Sequence, residues 1–177
     1  MIEPATYSVI EMLRCGRKVE IRAQRPRDRD GLTSAVARAS ESLYRRFFAA
    51  KREFRKREVS FFVDVDFVNH VALVAVTKEG GQGAIVGGGR YVVVRPGQAE
   101  VAFVVIDEYQ GQGIGAALMR HLAAIARHSG PGELIAEVLS ENAAMLKVFE
   151  KSGLKMSGLK MSAKHEGPVV HLTLTLG

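Results

Sequence analysis

The segment AFVVIDEYQGQGIGAALMRHLAAIARHSGPGELIAEVL, residues 102–139, constrains the fold more than any other part of the chain. An apolar, β-rich run stops at Asp107. Ile114, Leu118, Leu122 and Ile125 then recur at helical spacing up to Gly130, and ELIAEVL supplies a second apolar run. Strand, helix and strand in that order make a βαβ unit, whose two strands are expected to be parallel because only a long crossover can join parallel neighbours. The chain must therefore contain a sheet with at least one parallel pair.

Around this unit the sequence reads as antiparallel. HVALVAVTKEGGQGAIVGGGRYVVVRPGQAEVAFVVID holds three β-rich runs separated by KEGGQG and RPGQ, both rich in turn-forming residues, which predicts a three-strand meander. Gly87, Gly88 and Gly89 interrupt the middle run, and strand residues on both sides point to a bulge or close backbone packing there. KVEIRA predicts an earlier strand, with Asp28 or Asp30 capping a helix to about Ser40 and a second helix from Glu41 to about Lys56. Residues 59–69 favour a helical turn. SENAAMLKVFEKSG predicts a capped helix with Ser140 or Asn142 at its start and Gly153 past its end, followed by two more β-like runs. With 177 residues, one domain is expected: an N-terminal extension over 1–17, with a short helix in it, and a single domain over 18–177. The fold class is α/β of the α+β type, a mixed and mostly antiparallel sheet with helices on both faces.

The glycine-rich turn between strand and helix invites three phosphate-binding readings. A P-loop needs Gly-Lys-Ser/Thr, so that a lysine and a hydroxyl serve the terminal phosphate and its metal, and no such residues follow Gly115. A dinucleotide fingerprint is met formally by Gly111, Gly113 and Ala116, with Glu137 downstream for a ribose hydroxyl. It fails on context: Asp107 to Gln110 separate the strand from the loop, too little chain follows for a doubly wound sheet, and Glu137 sits inside its strand. The third pattern, Gln/Arg-x-x-Gly-x-Gly/Ala, is met by Gln110, Gly113 and Gly115.

At this loop the chain resembles the GNAT superfamily of acetyl-CoA-dependent N-acetyltransferases. FVVIDEYQGQGIGAALMRHLAAIA is similar to the family's central strand, pyrophosphate loop and following helix, and SENAAMLKVFEKSGL to its N-x-x-A-x-x-L-Y-x-K-x-G-F segment through Asn142, Lys151 and Gly153. The resemblance is clearest over residues 99–154 and weaker over KVEIRAQRPRDRDGL. It implies a central strand that splays from its parallel neighbour, so that unpaired backbone groups at Phe103 to Val105 bond the pantetheine of acetyl-CoA. It also implies that Gln110, Gly111, Gln112, Gly113, Ile114 and Gly115 hold the diphosphate. Glycines admit a close approach, successive amides aim at the anion, and the helix dipole adds a favourable field. Asn142 matches the family's cofactor-contacting asparagine, with a plain helix cap as the alternative. No metal is implied, since the five histidines form no ligand spacing and favour surface or packing roles.

Acetyl transfer needs a neutral amine, an aligned thioester and a donor for the oxyanion. Because a lysine amine has a pKa near about 10.4, a carboxylate beside the thioester is the group to seek. Glu100 is the candidate catalytic residue, as it opens the central strand and shares a face with Ala102 and Val104. Glu137 is the rival base, and the amide of Val105 is the expected oxyanion donor. Phe149 stands where many family members place a tyrosine acid for the departing thiolate, and it cannot donate a proton. SESLYRRFF, HVALVAV and AEVAFVVIDEYQGQGIG in this order resemble bacterial protein lysine acetyltransferase domains, a branch without that tyrosine.

The expected function is transfer of an acetyl group from acetyl-CoA to an amine, with a protein lysine favoured as acceptor. A small-molecule amine or a catalytically silent acyl-CoA-binding module are the alternatives. Lys and Arg exceed Asp and Glu by 25 to 19, and RRFFAAKREFRKR over residues 45–57 is strongly basic. A solvated helix face is the preferred reading of that run over nucleic-acid binding. The single cysteine, Cys15, and the charged residues Glu3, Glu11, Arg14, Arg17 and Lys18 near the start favour a cytoplasmic setting without membrane contact. The C-terminal strands offer a possible homodimer contact.

Overall fold

A computed structural model describes residues 1–38, 64–164 and 167–177. The helix expected over Glu41–Lys56 and the basic run at 45–57 lie outside those residues. The described residues form an eight-stranded sheet from β1 (Ser8–Met12), β2 (Lys18–Ala23), β3 (His70–Glu79), β4 (Gln82–Arg95), β5 (Gln98–Val105), β6 (Glu133–Leu139), β7 (Lys155–Lys164) and β8 (Gly167–Thr175). Three α-helices accompany it: α1 (Arg29–Arg38), α2 (Ile114–Ser129) and α3 (Ala143–Glu150). The strand order is β1-β2-β3-β4-β5-β6-β8-β7, and only β5 and β6 run parallel. The sheet is thus mixed and mostly antiparallel, with the one parallel pair that the βαβ pattern requires.

α2 supplies much of the core. Ile114, Leu118, Leu122 and Ile125 are at most 1% exposed, and burial of each such side chain stabilises the fold by about 1.5–3 kcal/mol. The helix starts at Gly113 (φ 91°) and stops at Gly130 (φ 132°), both conformations that a side chain resists. Both accounts of the Gly87–Gly89 run hold together. Ala75 pairs with Gly87 but Val76 with Ile85, so Val86 is an extra residue in β4. A Cβ on Gly89 would lie 2.6 Å from the Phe103 ring and 3.0 Å from Leu122, so the glycine lets α2 and β5 close over β4.

Two expectations are corrected and one is filled in. Residues 1–17, expected as an extension with a short helix, hold a short 3-10 helix at Pro4–Thr6 and then β1, which pairs along its whole length with β2. It is also tied to α2, for Tyr7 Oη lies 2.5 Å from His121 Nδ1 while His121 Nε2 lies 2.6 Å from Glu11. Alternation is poor in β1 because an edge strand buries little, which hides it from a periodicity search. Of residues 59–69, where a helical turn is expected, 59–63 lie outside the described residues, and 67–69 form bends in place of a helical turn, with Asp66 Oδ1 accepting from the backbone N–H groups of Val68, Asn69 and His70. Asp28 does not cap α1 with its side chain; its carboxylate is taken by Arg22 and by the N–H of Arg25.

Candidate active site

The site is organised by the parting of β5 from β6. Their parallel pairing covers Gln98–Glu133, Ala99–Leu134 and Glu100–Ile135, then stops, although both strands continue. On its other edge β5 stays paired with β4 up to Gly87–Val105, and Ile106 N–H donates to the Val86 carbonyl. The alternation of an antiparallel ladder therefore turns the N–H and C=O groups of Phe103 and Val105 away from β4, into the gap left by β6. The Phe103 side chain points to the core, 2% exposed and edge-on to Phe149 at 5.9 Å. Phe149 is itself 1% exposed and packs behind the gap as a core residue.

The glycine loop closes one end of that gap. Gln110 Nε2 donates to the Val105 carbonyl and to Asp107 Oδ1, both at 3.2 Å, which fixes the loop to the end of β5. Gly111 and Gly113 have φ of 77° and 91°, and a Cβ on either would meet nothing within 4 Å. These glycines are required by backbone conformation and leave open space beside them. Gly115 serves packing as well, because its Cβ would sit 3.2 Å from Val148 of α3. The Ile114 side chain is buried, so its main chain is what it can offer a ligand. Gln112 is half-buried, and its Oε1 lies 3.7 Å from Cys15 Sγ. An anion with close backbone contacts fits this end: open glycines, a helix N-terminus and no lysine or arginine within 107–119. Asn142, 8% exposed, caps α3 by accepting from Met145 N–H at 3.2 Å, so the capping alternative is realised in its geometry.

Glu100 is the last β5 residue paired with β6 and lies exposed at the head of the gap. Glu137 follows Ile135 by two residues on β6 and so occupies the same face. It differs in its neighbours, since His171 Nδ1 of β8 lies 3.4 Å from its Oε1. Behind Glu100 on that face lies a polar layer that the sequence reading missed. Strand register aligns Gln24, Ala72, Arg90 and Ala102 in one row and His70, Val92 and Glu100 in the next. Arg90 bonds His70 Nε2 at 3.0 Å and Gln24 Oε1 at 3.3 Å. Burial brings the Arg90 pKa down to about 9, and burial with the nearby Arg90 charge brings His70 to about 4. One strand further, Arg22 grips Asp28 through two 2.8 Å bonds. Burial alone would raise the Asp28 pKa, but Arg22 and the Arg25 N–H outweigh it and hold it low. Isolated polar residues within apolar runs were the only trace of this layer in the sequence. Among the described residues no cluster of His, Cys, Asp and Glu could hold a metal ion, and no helix is long and apolar enough to cross a membrane.

Comparison with known proteins agrees with this architecture. Residues 36–154 match the model of the acetyltransferase (GNAT) family, and the chain belongs to that family. It is 38% identical over 126 residues to the acetyltransferase Pat of Mycolicibacterium smegmatis, a match covering 69% of this chain and 36% of that protein. It is 34% identical over 138 residues to the acetyltransferase PA5475 of Pseudomonas aeruginosa, covering 77% and 74%. Among solved structures, the GNAT domain of S. lividans PAT superposes with a TM-score of 0.80 at 31% identity, covering 95% of this chain and 96% of that one. The cAMP-binding acyltransferase from Mycobacterium smegmatis gives 0.63 at 27% identity, and this chain spans 48% of its length.

Proposed function

We propose that the chain transfers the acetyl group of acetyl-CoA to a lysine amine of a protein acceptor. The observation that carries this reading is the gap between β5 and β6, with backbone groups of β5 turned into it along one wall, the glycine loop at one end and an exposed carboxylate at the other. The loop amides of residues 112–115 receive the diphosphate, and the main-chain groups of Phe103 with the N–H of Val105 bond the pantetheine as a neighbouring strand would, the Val105 carbonyl being held by Gln110. That places the thioester near the head of the gap. Glu100 takes the proton of the incoming ammonium, the neutral nitrogen attacks the thioester carbon, and a main-chain N–H of β5 turned into the gap steadies the oxyanion. Collapse breaks the carbon–sulfur bond and releases the thiolate. Phe149 offers it no proton, so the thiolate leaves unassisted or takes a proton from water. The protein acceptor is supported by the likeness to Pat proteins. The missing hydroxyl at Phe149 keeps one second reading in view, a silent acyl-CoA-binding module.

The test is free-thiol release with acetyl-CoA and a panel of lysine peptides and small amines, for the parent and Glu100→Gln. The parent is expected to turn over, and Glu100→Gln to lose about 100-fold or more at neutral pH with partial recovery at high pH. Activity close to the parent in Glu100→Gln would move the base to Glu137 or water. No turnover by a parent that binds acetyl-CoA would favour the silent module.

A further inference from the structure

We propose that the turn joining β1 to β2, residues 13–17, completes the phosphate end of the cofactor site, with Arg14 and Arg17 supplying positive charge to the 3′-phosphate of the coenzyme. This rests on the acetyl-CoA reading above and adds an element from outside the βαβ unit. The glycine loop can offer the diphosphate neutral amides and a helix dipole of roughly half a charge, yet coenzyme A also carries a phosphate monoester of about −1.5 to −2 charge. From Asp107 to Met119 there is no cation to meet it, and Asp107 and Glu108 add negative charge. Arg38 is close, but it is committed to Glu79 at 3.0 Å and to Glu108 at 2.9 Å.

The β1–β2 turn brings cations to this place. Cys15 Sγ touches Gln112, the residue between the two open glycines, at 3.7 Å. Arg14 precedes Cys15 and is exposed. The Arg17 guanidinium carbon lies 4.9 Å from the centre of the Tyr109 ring, at the entry to the loop. Its Nε is shielded from solvent and lacks a hydrogen-bond acceptor among the described residues. A phosphate oxygen held at the loop is an acceptor of the kind that donor lacks, and such a charge-assisted bond is among the stronger ones available. The turn is also held in shape: Gly16 N–H donates to the Leu13 carbonyl at 2.9 Å and Leu13 N–H to that of Arg17 at 2.8 Å. Glu11, just before it, is fixed to α2 by Arg120 at 2.8 Å and by His121. A braced turn carrying two arginines thus stands against an anion-binding loop that has no cation of its own.

Calorimetric titration of acetyl-CoA and of 3′-dephospho-acetyl-CoA against the parent, Arg14→Ser and Arg14→Ser/Arg17→Gln tests this. The parent is expected to prefer acetyl-CoA by about tenfold or more, the worth of one good phosphate contact. Arg14→Ser should narrow that preference and the double variant bring it near unity, with affinity for the dephospho ligand almost unchanged. Arg14 is exposed, so the single variant decides the matter if loss of Arg17 from above Tyr109 unfolds the double one. An unchanged preference in the folded variants, or an equal fall for both ligands, overturns the assignment. A parent that binds neither ligand removes the acetyl-CoA reading itself, and the role of the turn with it.

Discussion

The two faces of the sheet around β5 are made from alternate residues of the same strands and are built on opposite principles. Ala99, Val101 and Phe103 turn to the apolar core and are at most 3% exposed. The alternate residues share their face with the buried Gln24 and His70 and the half-buried Arg90, a polar layer in the row of the exposed Glu100 and the row next to it. Apolar packing tolerates a change of pH or salt, whereas a buried polar layer is stable only while each member keeps its partner and protonation state. The first face carries the stability of the fold, and the second places hydrogen-bonding groups beside the proposed chemistry.

The largest expected effect falls on the apolar face. Leu122, fully buried, touches the space that Gly89 leaves empty, and Leu122→Ala should cost about 2–5 kcal/mol in denaturant unfolding. A loss under about 1 kcal/mol would mean that α2 is not the clamp described, because even a modest buried cavity costs more.

On the polar face the expected effect depends on pH. With a folded pKa of about 4, His70 stays neutral where the unfolded chain has begun to take up protons. Its contribution is therefore full above about pH 6.5 and falls as pH drops from about 6.5 towards about 4, by at most about 3 kcal/mol. His70→Asn should flatten the pH dependence of stability within that window. The same slope in parent and variant would show that His70 titrates normally and that the layer is wet. The smallest stability effect is expected at Glu100, which is exposed and central to the proposed chemistry. Glu100→Gln should shift stability by less than about 0.5 kcal/mol, while the rate falls as set out above.

The difference between the faces also decided what was legible in the sequence. Ile114, Leu118, Leu122 and Ile125 announced α2 because burial against a sheet imposes a 3.6-residue period. The loop was legible because only glycine serves at φ near 77° and 91°. The polar layer imposes no period of its own: Arg22, Gln24, His70 and Arg90 come from three strands and the segment next to one of them, and only the register brings them together. Edge strand β1 escaped notice for a related reason, since its anchors, Tyr7 and Glu11, meet α2 more than a hundred residues away. Asn142 stood as either cofactor ligand or cap, and side-chain geometry was needed to find the cap.

Binding of acetyl-CoA to Gly113→Asp, set beside Gly97→Asp, bears most directly on the central claim that the glycine loop and the β5–β6 gap form a cofactor site. Both glycines have positive φ, 91° and 80°, and a Cβ on either would find nothing within 4 Å. The substitutions thus share the backbone strain of about 1–2 kcal/mol, and only Gly113 faces the proposed diphosphate. Calorimetry on the folded variants should show affinity reduced about 100-fold or more for Gly113→Asp, where a carboxylate meets the phosphates at close range, and nearly unchanged for Gly97→Asp. Equal affinity in the two variants would contradict the assignment of the loop.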